Sequence, residues 1–474
     1  MWPVPSGVYQ FRSLGAGLIF TLELVVGASQ KLRNEQRTRV MVRLMILGLV
    51  FSGSFSLAFA CPFCTAPSYT LSEEIEQATS VQLLELKSRP TRANRDSTER
   101  LVGRFRVIDE FKTRSSRSRI ESAAKSERHD LSSKIGARPV SADKELQFQL
   151  DPEWRSGDLF ALIQRKQDEK SPDVPIPVSR SGWRYLTTLP SHSIATPDRL
   201  RFFVRYLEHS DTLVANDAYG EFANAPYKEI VAMRESLPRH RLRQWILDSR
   251  RADQQVIATR RGLYGMLLGL CGKSSDAALL RRVIVDDWNP DDGFRLGIDG
   301  MIGGYLLLTG DTGLKLIEQS KLANTSVPFA ETYAAMRALR FAWTYGSGSI
   351  SRDQLRTAMR HLLKRPELAD LVIVDLARWK AWDVQPLLMQ MYGEEAYQVP
   401  AIKRAIIRFM LANTLPEKAT RSGDEQKETQ DSSRLPKDSQ EEPAHVQRAR
   451  RYLAILKARD PKLVSDCERF FFFK

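Results

Sequence analysis

The residues best suited to chemistry are Cys61-Pro62-Phe63-Cys64, the one closely spaced pair among four cysteines. Two intervening residues allow an exchangeable disulfide, and a helix beginning just after such a pair lowers a thiol pKa. Cys61 and Cys64 are therefore a candidate redox pair. The same spacing also suits a structural disulfide or a tether. Thr65 rather than His follows Cys64, which rules out haem attachment. Cys271 and Cys467 are isolated, so a zinc half-site at 61–64 finds no second half. A thioredoxin-like unit would also need a strand before the pair, and none is expected there.

A second cluster is acidic. Residues 286–293 read Asp-Asp-Trp-Asn-Pro-Asp-Asp-Gly. Asp287, Asn289 and Asp291 offer oxygen at alternating positions, as a calcium loop does. The loop departs from the EF-hand pattern, because its glycine falls one position late and Ile298 stands where a bidentate Glu belongs. Capping of the next helix by Asp291 or Asp292 is the plainer use. Tyr333, Met336, Leu339 and Trp343 form a stripe at helical spacing that reads as core. No Gly-rich phosphate loop, nucleophile elbow or paired-His helix occurs. No cofactor is expected, and the redox pair is the one candidate for catalysis.

The location of the cysteines depends on the compartment. From Met41 the chain reads as an export signal, with Arg43 as its positive region, residues 44–57 as its apolar run and Ala58-Phe59-Ala60 as a cleavage site. Met41 is thus the expected start, residues 1–40 an extension called in error, and Cys61 the mature terminus. A helical hairpin anchor built from this run and residues 14–28 is the alternative. Cys61 after the cleavage point also admits lipidation, although Ala58 stands where a lipoprotein signal carries a larger aliphatic residue. The expectation is an exported protein, periplasmic or extracellular, touching membrane only through such an anchor or lipid.

The net charge is +14 over 474 residues. Residues 87–138 hold 15 Lys/Arg against 7 Asp/Glu, and residues 1–60 hold 6 against 2, leaving only +2 for the rest. A helical array tracking many phosphates is therefore not expected, and nucleic acid is excluded as a partner.

Several elements must position these residues. Segments 80–87, 101–112, 145–150 and 158–165 alternate or run apolar at strand length, and 183–189 adds a fifth. The expectation is a small antiparallel barrel or sandwich of the oligonucleotide/oligosaccharide-binding shape over 61–190, carrying Arg/Ser-rich loops at 88–100 and 113–144. From 197 to 412 the pattern becomes helical. Apolar segments run into breaks at Gly272, Gly310, Gly346 and Trp382, at intervals of 38, 36 and 36 residues, with an earlier break at Ala225-Pro226. That spacing fits paired helices of the HEAT type, which stack into a solenoid because one pair cannot bury its own apolar face. Gly297, Gly300, Gly303 and Gly304 weaken one helix intrinsically, by up to about 1 kcal/mol each, and close backbone approach is the expected compensation. Residues 413–443 read as a disordered linker, residues 444–474 as two helices, and Phe470 to Phe473 as docking on the last pair.

Two resemblances follow. A terminal Cys before a small barrel resembles the netrin-like domain of metalloproteinase inhibitors, which would place Cys61 over a catalytic zinc. The pair is spaced C-x-x-C rather than C-x-C, however, and the barrel lacks that family's other cysteines. Over most of 61–412 the chain resembles secreted planctomycete-type bacterial proteins of unknown function with a HEAT-like α-solenoid. The resemblance is carried by Cys-Pro-Phe-Cys, by Ala-Ala-Met-Arg-Ala-Leu-Arg-Phe at 334–341 and by Glu-Leu-Ala-Asp-Leu-Val-Ile at 367–373. It implies a fold and no activity. The expected function is that of a non-enzymatic envelope protein whose helical surface binds another protein; the alternative is a thiol-disulfide protein working through Cys61 and Cys64.

Overall fold

A computed structural model describes residues 61–64, 69–88, 102–111, 145–149, 151, 153–165, 173–248, 255–287, 293–346, 348–415 and 442–471. The expectations for the export signal, the two basic loops, most of the linker and the phenylalanine side chains at 470–473 lie outside the described residues.

Helix α1 (Leu71–Gln77) opens on a reciprocal cap: Thr70 accepts from the Glu73 backbone while the Glu73 carboxylate accepts from the Thr70 N–H at 2.9 Å. It leads into an antiparallel sheet of β1 (Ser80–Ser88), β2 (Val102–Glu110), β3 (Glu145–Gln149), β4 (Leu159–Gln164) and β5 (Ile176–Pro177), in the order β3-β2-β1-β4-β5. The central strand β1 is buried on both faces, which explains its nearly continuous apolar run. Val81, Leu83, Ala161 and Ile163 face the helices and join their core. Leu84, Leu86, Phe105, Val107, Phe160 and Leu162 face the other way and form a second cluster, edged by Phe148 and Trp154.

Two strand-level expectations are corrected here. The sheet is open rather than closed into a barrel, because its edges β3 and β5 do not pair with each other and helices cover the face that closure would have covered. Residues 183–189 do not supply the fifth strand. They lie mostly in helix α2 (Arg180–Thr187), where the Ser179 hydroxyl caps Gly182 N and Trp183 and Leu186 fall on one buried helical face. The two-residue β5 takes the edge position instead.

The helical remainder begins with α3 (Thr196–Phe203), α4 (Thr212–Asn224), α5 (Tyr227–Ala232) and α6 (Arg239–Asp248). It continues with α7 (Gln255–Cys271), α8 (Ser274–Arg281), α9 (Ile298–Ile317), α10 (Phe329–Tyr345), α11 (Arg352–Arg360), α12 (Pro366–Arg378), α13 (Gln385–Gly393) and α14 (Pro400–Asn413). Helices α15 (Ala444–Arg459) and α16 (Pro461–Phe471) follow and pack on α14. The four expected breaks all occur. Gly272 separates α7 from α8, Gly346 ends α10, Trp382 opens a tight turn before α13, and Gly310 interrupts α9 with φ +58°. Helix α7 packs on α9, α9 on α10, α10 on α11, α11 on α12 and α12 on α14, and the apolar cluster runs without interruption from Cys61 to Cys467.

The glycines of α9 have the compensation expected of them. A methyl group at Gly304 would overlap the Gly265 carbonyl, and one at Gly300 would overlap that of Gly262. Helices α7 and α9 therefore touch backbone to backbone.

Candidate functional site

The Cys-Pro-Phe-Cys loop is seated on the helices. Cys61 and Cys64 form a disulfide with Cα atoms 5.4 Å apart; Cys61 is buried and Cys64 half-buried. The loop is held by its backbone. Cys61 N donates to Ala223 O at the end of α4 (3.1 Å), Cys64 N donates to Cys61 O (3.3 Å), and Arg337 Nη2 donates to Pro62 O (3.1 Å). The same Arg337 reaches Asp299 Oδ2 on α9 with Nη1 at 2.6 Å. One guanidinium thus ties α9 and α10 to the loop. Burial raises the Asp299 carboxyl pKa, and the Arg337 charge opposes that rise.

Phe63 is the loop's anchor. Its ring lies 4.8 Å from that of Phe341 on α10, and Gly303 of α9 leaves the room it occupies, since a Cβ there would stand 2.6 Å from Phe63 Cζ. Phe341 continues the contact to Tyr227 of α5 (5.4 Å) and Tyr345 (5.6 Å). Burial pushes both phenols above their ordinary range, so they remain neutral packing groups at neutral pH. What this arrangement can do chemically is narrow. Cys61 is buried, so among the described residues an attacking thiolate approaches from the Cys64 side, and the Arg337 guanidinium that touches the loop is already engaged by Asp299 and Pro62 O.

A second cluster joins α1 to α3 and α4. Arg199 Nη2 meets Glu221 Oε2 at 2.5 Å and Ser72 Oγ at 3.3 Å, Ser72 Oγ donates to Glu221 Oε1, and His192 Nε2 lies 3.1 Å from Arg199 Nη2. One turn earlier on α4, Asp217 accepts from Leu71 N (2.7 Å) and from the Tyr185 hydroxyl (2.6 Å). Burial pushes the Asp217 carboxyl up to about 7, against the pull of these two donors. Ser72, Arg199, Asp217 and Glu221 are all buried, so they make a closed junction rather than a cleft.

Of the three acidic-loop candidates the structure describes Asp287, which pairs with Arg282 Nε at 3.1 Å; Asn289 and Asp291 lie outside the described residues. Among the described residues, no group of three His, Cys, Asp or Glu could hold a metal. No helix there is long and apolar enough to cross a membrane.

Sequence reasoning found the cysteine pair and missed what seats it. Phe63 was visible only as a spacer, and nothing local marks Gly303, Phe341 or Arg337 as its neighbours. The polar junction did carry a signal. Asp217 and Glu221 stand four residues apart on a helix face otherwise built from Val214, Ala218 and Phe222, and acids on an apolar face need buried partners.

Comparison with known proteins adds no relative: no family model, no curated protein and no solved structure matches the chain.

Proposed function

We propose that the protein is an exported, non-enzymatic envelope protein whose helical hairpins stack as a HEAT-like solenoid and offer a surface for another protein, with the cysteine loop stapled against α4, α9 and α10. The observation that carries this reading is the neighbour-on-neighbour packing of α7, α9, α10, α11, α12 and α14 around one continuous core. Large apolar side chains left outside it lend support. Phe329 is exposed and stacks flat on Tyr333 with centroids 5.8 Å apart, and Leu371 and Val374 are exposed one turn apart on α12. A disulfide at Cys61 and Cys64 suits an oxidising compartment.

Small-angle scattering and site-specific cross-linking test the two halves of the proposal. An elongated particle is expected, together with an envelope cross-link from a photo-reactive residue at Leu371 that is lost in Phe329→Asp. A spherical particle, or a cross-link pattern indifferent to Phe329, would overturn it.

A second reading, thiol-disulfide exchange, is favoured by the half-buried Cys64. It requires the pair to cycle reversibly and insulin reduction to vanish in Cys64→Ser. A pair that stays oxidised under mild dithiol, with no insulin reduction, removes that reading.

A further inference from the structure

The turn after α3 and the start of α6 border an open hollow of about 230 Å³, lined by Arg201, Arg205, Arg241, Ser236, Val204 and Pro238. It has room for several waters, more than a bare oxyanion needs. Its cations are unevenly used. Arg201 is held in place, with Nε donating to Ser236 Oγ at 3.0 Å and Nη1 paired with Asp198. Arg205 and Arg241 have no carboxylate partner among the described residues. The other acids nearby are engaged elsewhere: Glu235 pairs with Arg234, and Asp276 with Arg239 and Arg243. Three guanidiniums and one carboxylate leave the hollow with an excess of about two positive charges, beside the low-dielectric wall of buried Val204.

We propose that this hollow binds the phosphate group of a phosphate monoester, with Arg205 and Arg241 as its charge partners and Arg201 and Ser236 as fixed donors. A dianion matches the charge excess, and the planar guanidinium fork matches tetrahedral oxyanions two oxygens at a time. The hollow adjoins the first turn of α6, where helix N–H groups lack acceptors within the helix and favour negative charge. Volume beyond the phosphate leaves space for the alcohol it esterifies. The site is independent of the partner-binding surface proposed above and of the cysteine loop.

Phosphate chemistry of this kind comes free, on a small polyol or on a lipid, and calorimetry separates the sources. The full chain is titrated at constant ionic strength with inorganic phosphate, with glycerol 3-phosphate and with vesicles containing phosphatidic acid, against chloride. Saturable binding of glycerol 3-phosphate, tighter than that of inorganic phosphate, is expected. Vesicle binding exceeding both would assign the lipid as the source. The double variant Arg205→Ala with Arg241→Ala should weaken binding at least about tenfold, since each lost partner removes a charge-assisted hydrogen bond. Its thermal melt should be unchanged, because both side chains are exposed. Arg378→Ala with Arg450→Ala, the same charge change on α12 and α15, should leave binding intact. Heats that match chloride for all three probes, or binding equal in the two double variants, would overturn the proposal.

Discussion

Two buried seams hold this chain together by opposite means. Between α7 and α9 the contact is backbone on backbone, made by glycines with no side chain to adjust. Where α1 meets α3 and α4 it is a set of buried polar groups, the ion pair of Arg199 with Glu221 and the hydrogen bonds of Asp217 with Tyr185 and Leu71 N. The glycine seam depends on added volume being absent, and the polar junction depends on every partner being present. The first is therefore indifferent to pH and intolerant of any larger residue. The second tolerates conservative exchange but not an orphaned charge.

The largest effect should come from the polar junction. Glu221→Ala leaves the Arg199 guanidinium buried without its carboxylate and should cost about 3–5 kcal/mol in a denaturant melt. The paired change Arg199→Met with Glu221→Leu removes both charges and should recover most of that loss. If the single and paired variants melt alike, the junction is not held by charge pairing and the comparison breaks. Next comes Gly304→Ala. Its methyl meets the Gly265 backbone, which cannot yield as a side chain would, so a loss of about 3 kcal/mol is expected despite about 1 kcal/mol gained in helix propensity. An unchanged midpoint would show that the two helices can part without cost.

The cysteine loop tests a third kind of attachment. Phe63→Ala should lower stability by about 3 kcal/mol, because the ring fills space between α9 and α10. Replacing both cysteines by alanine should cost less, about 2 kcal/mol, because so short a loop restrains the unfolded chain only slightly. A reversed order of the two losses would make the disulfide, not the ring, the anchor.

The remaining effect is a slope rather than a fixed loss. Burial holds the Asp217 carboxyl near 7 in the folded protein, well above its ordinary 3.8, so the folded state binds the extra proton between those values. Its contribution is greatest below about pH 4 and is lost as pH rises to about 7, at up to about 1.4 kcal/mol per unit. Asp217→Asn should flatten that part of the melting profile while leaving Gly304→Ala's penalty the same at every pH. A wild-type profile that rises from pH 4 to 7 by as much as the variant's would show that Asp217 does not titrate in this window.

Much of the local organisation was readable beforehand. Gly272 and Gly346 end helices, Gly310 bends one, and the clustered glycines of α9 forecast a close approach. These features depend on a residue's own backbone freedom or on partners within one turn. Residues 183–189 misled because Trp, Tyr and Leu in a short run suit either period, and the Ser179 cap decided for helix. The open sheet was not readable, since strand spacing does not say whether a sheet curls on itself or borrows a helical face. The arginine hollow was hidden by its own arithmetic: charges counted along the chain nearly cancel, while Arg201, Arg205 and Arg241 converge in space.

From the sequence alone came the positions where helices start, stop and bend, the pairing of apolar segments, and the cysteine pair, because each follows from interactions spanning a few residues. Only the tertiary structure decided that Arg337 would clasp Pro62 from 275 positions away, that Phe63 would fill the space left by Gly303, and which buried acids would find partners. Contacts at that separation are chosen by how packed surfaces fit once the elements exist, and no local spacing encodes that choice.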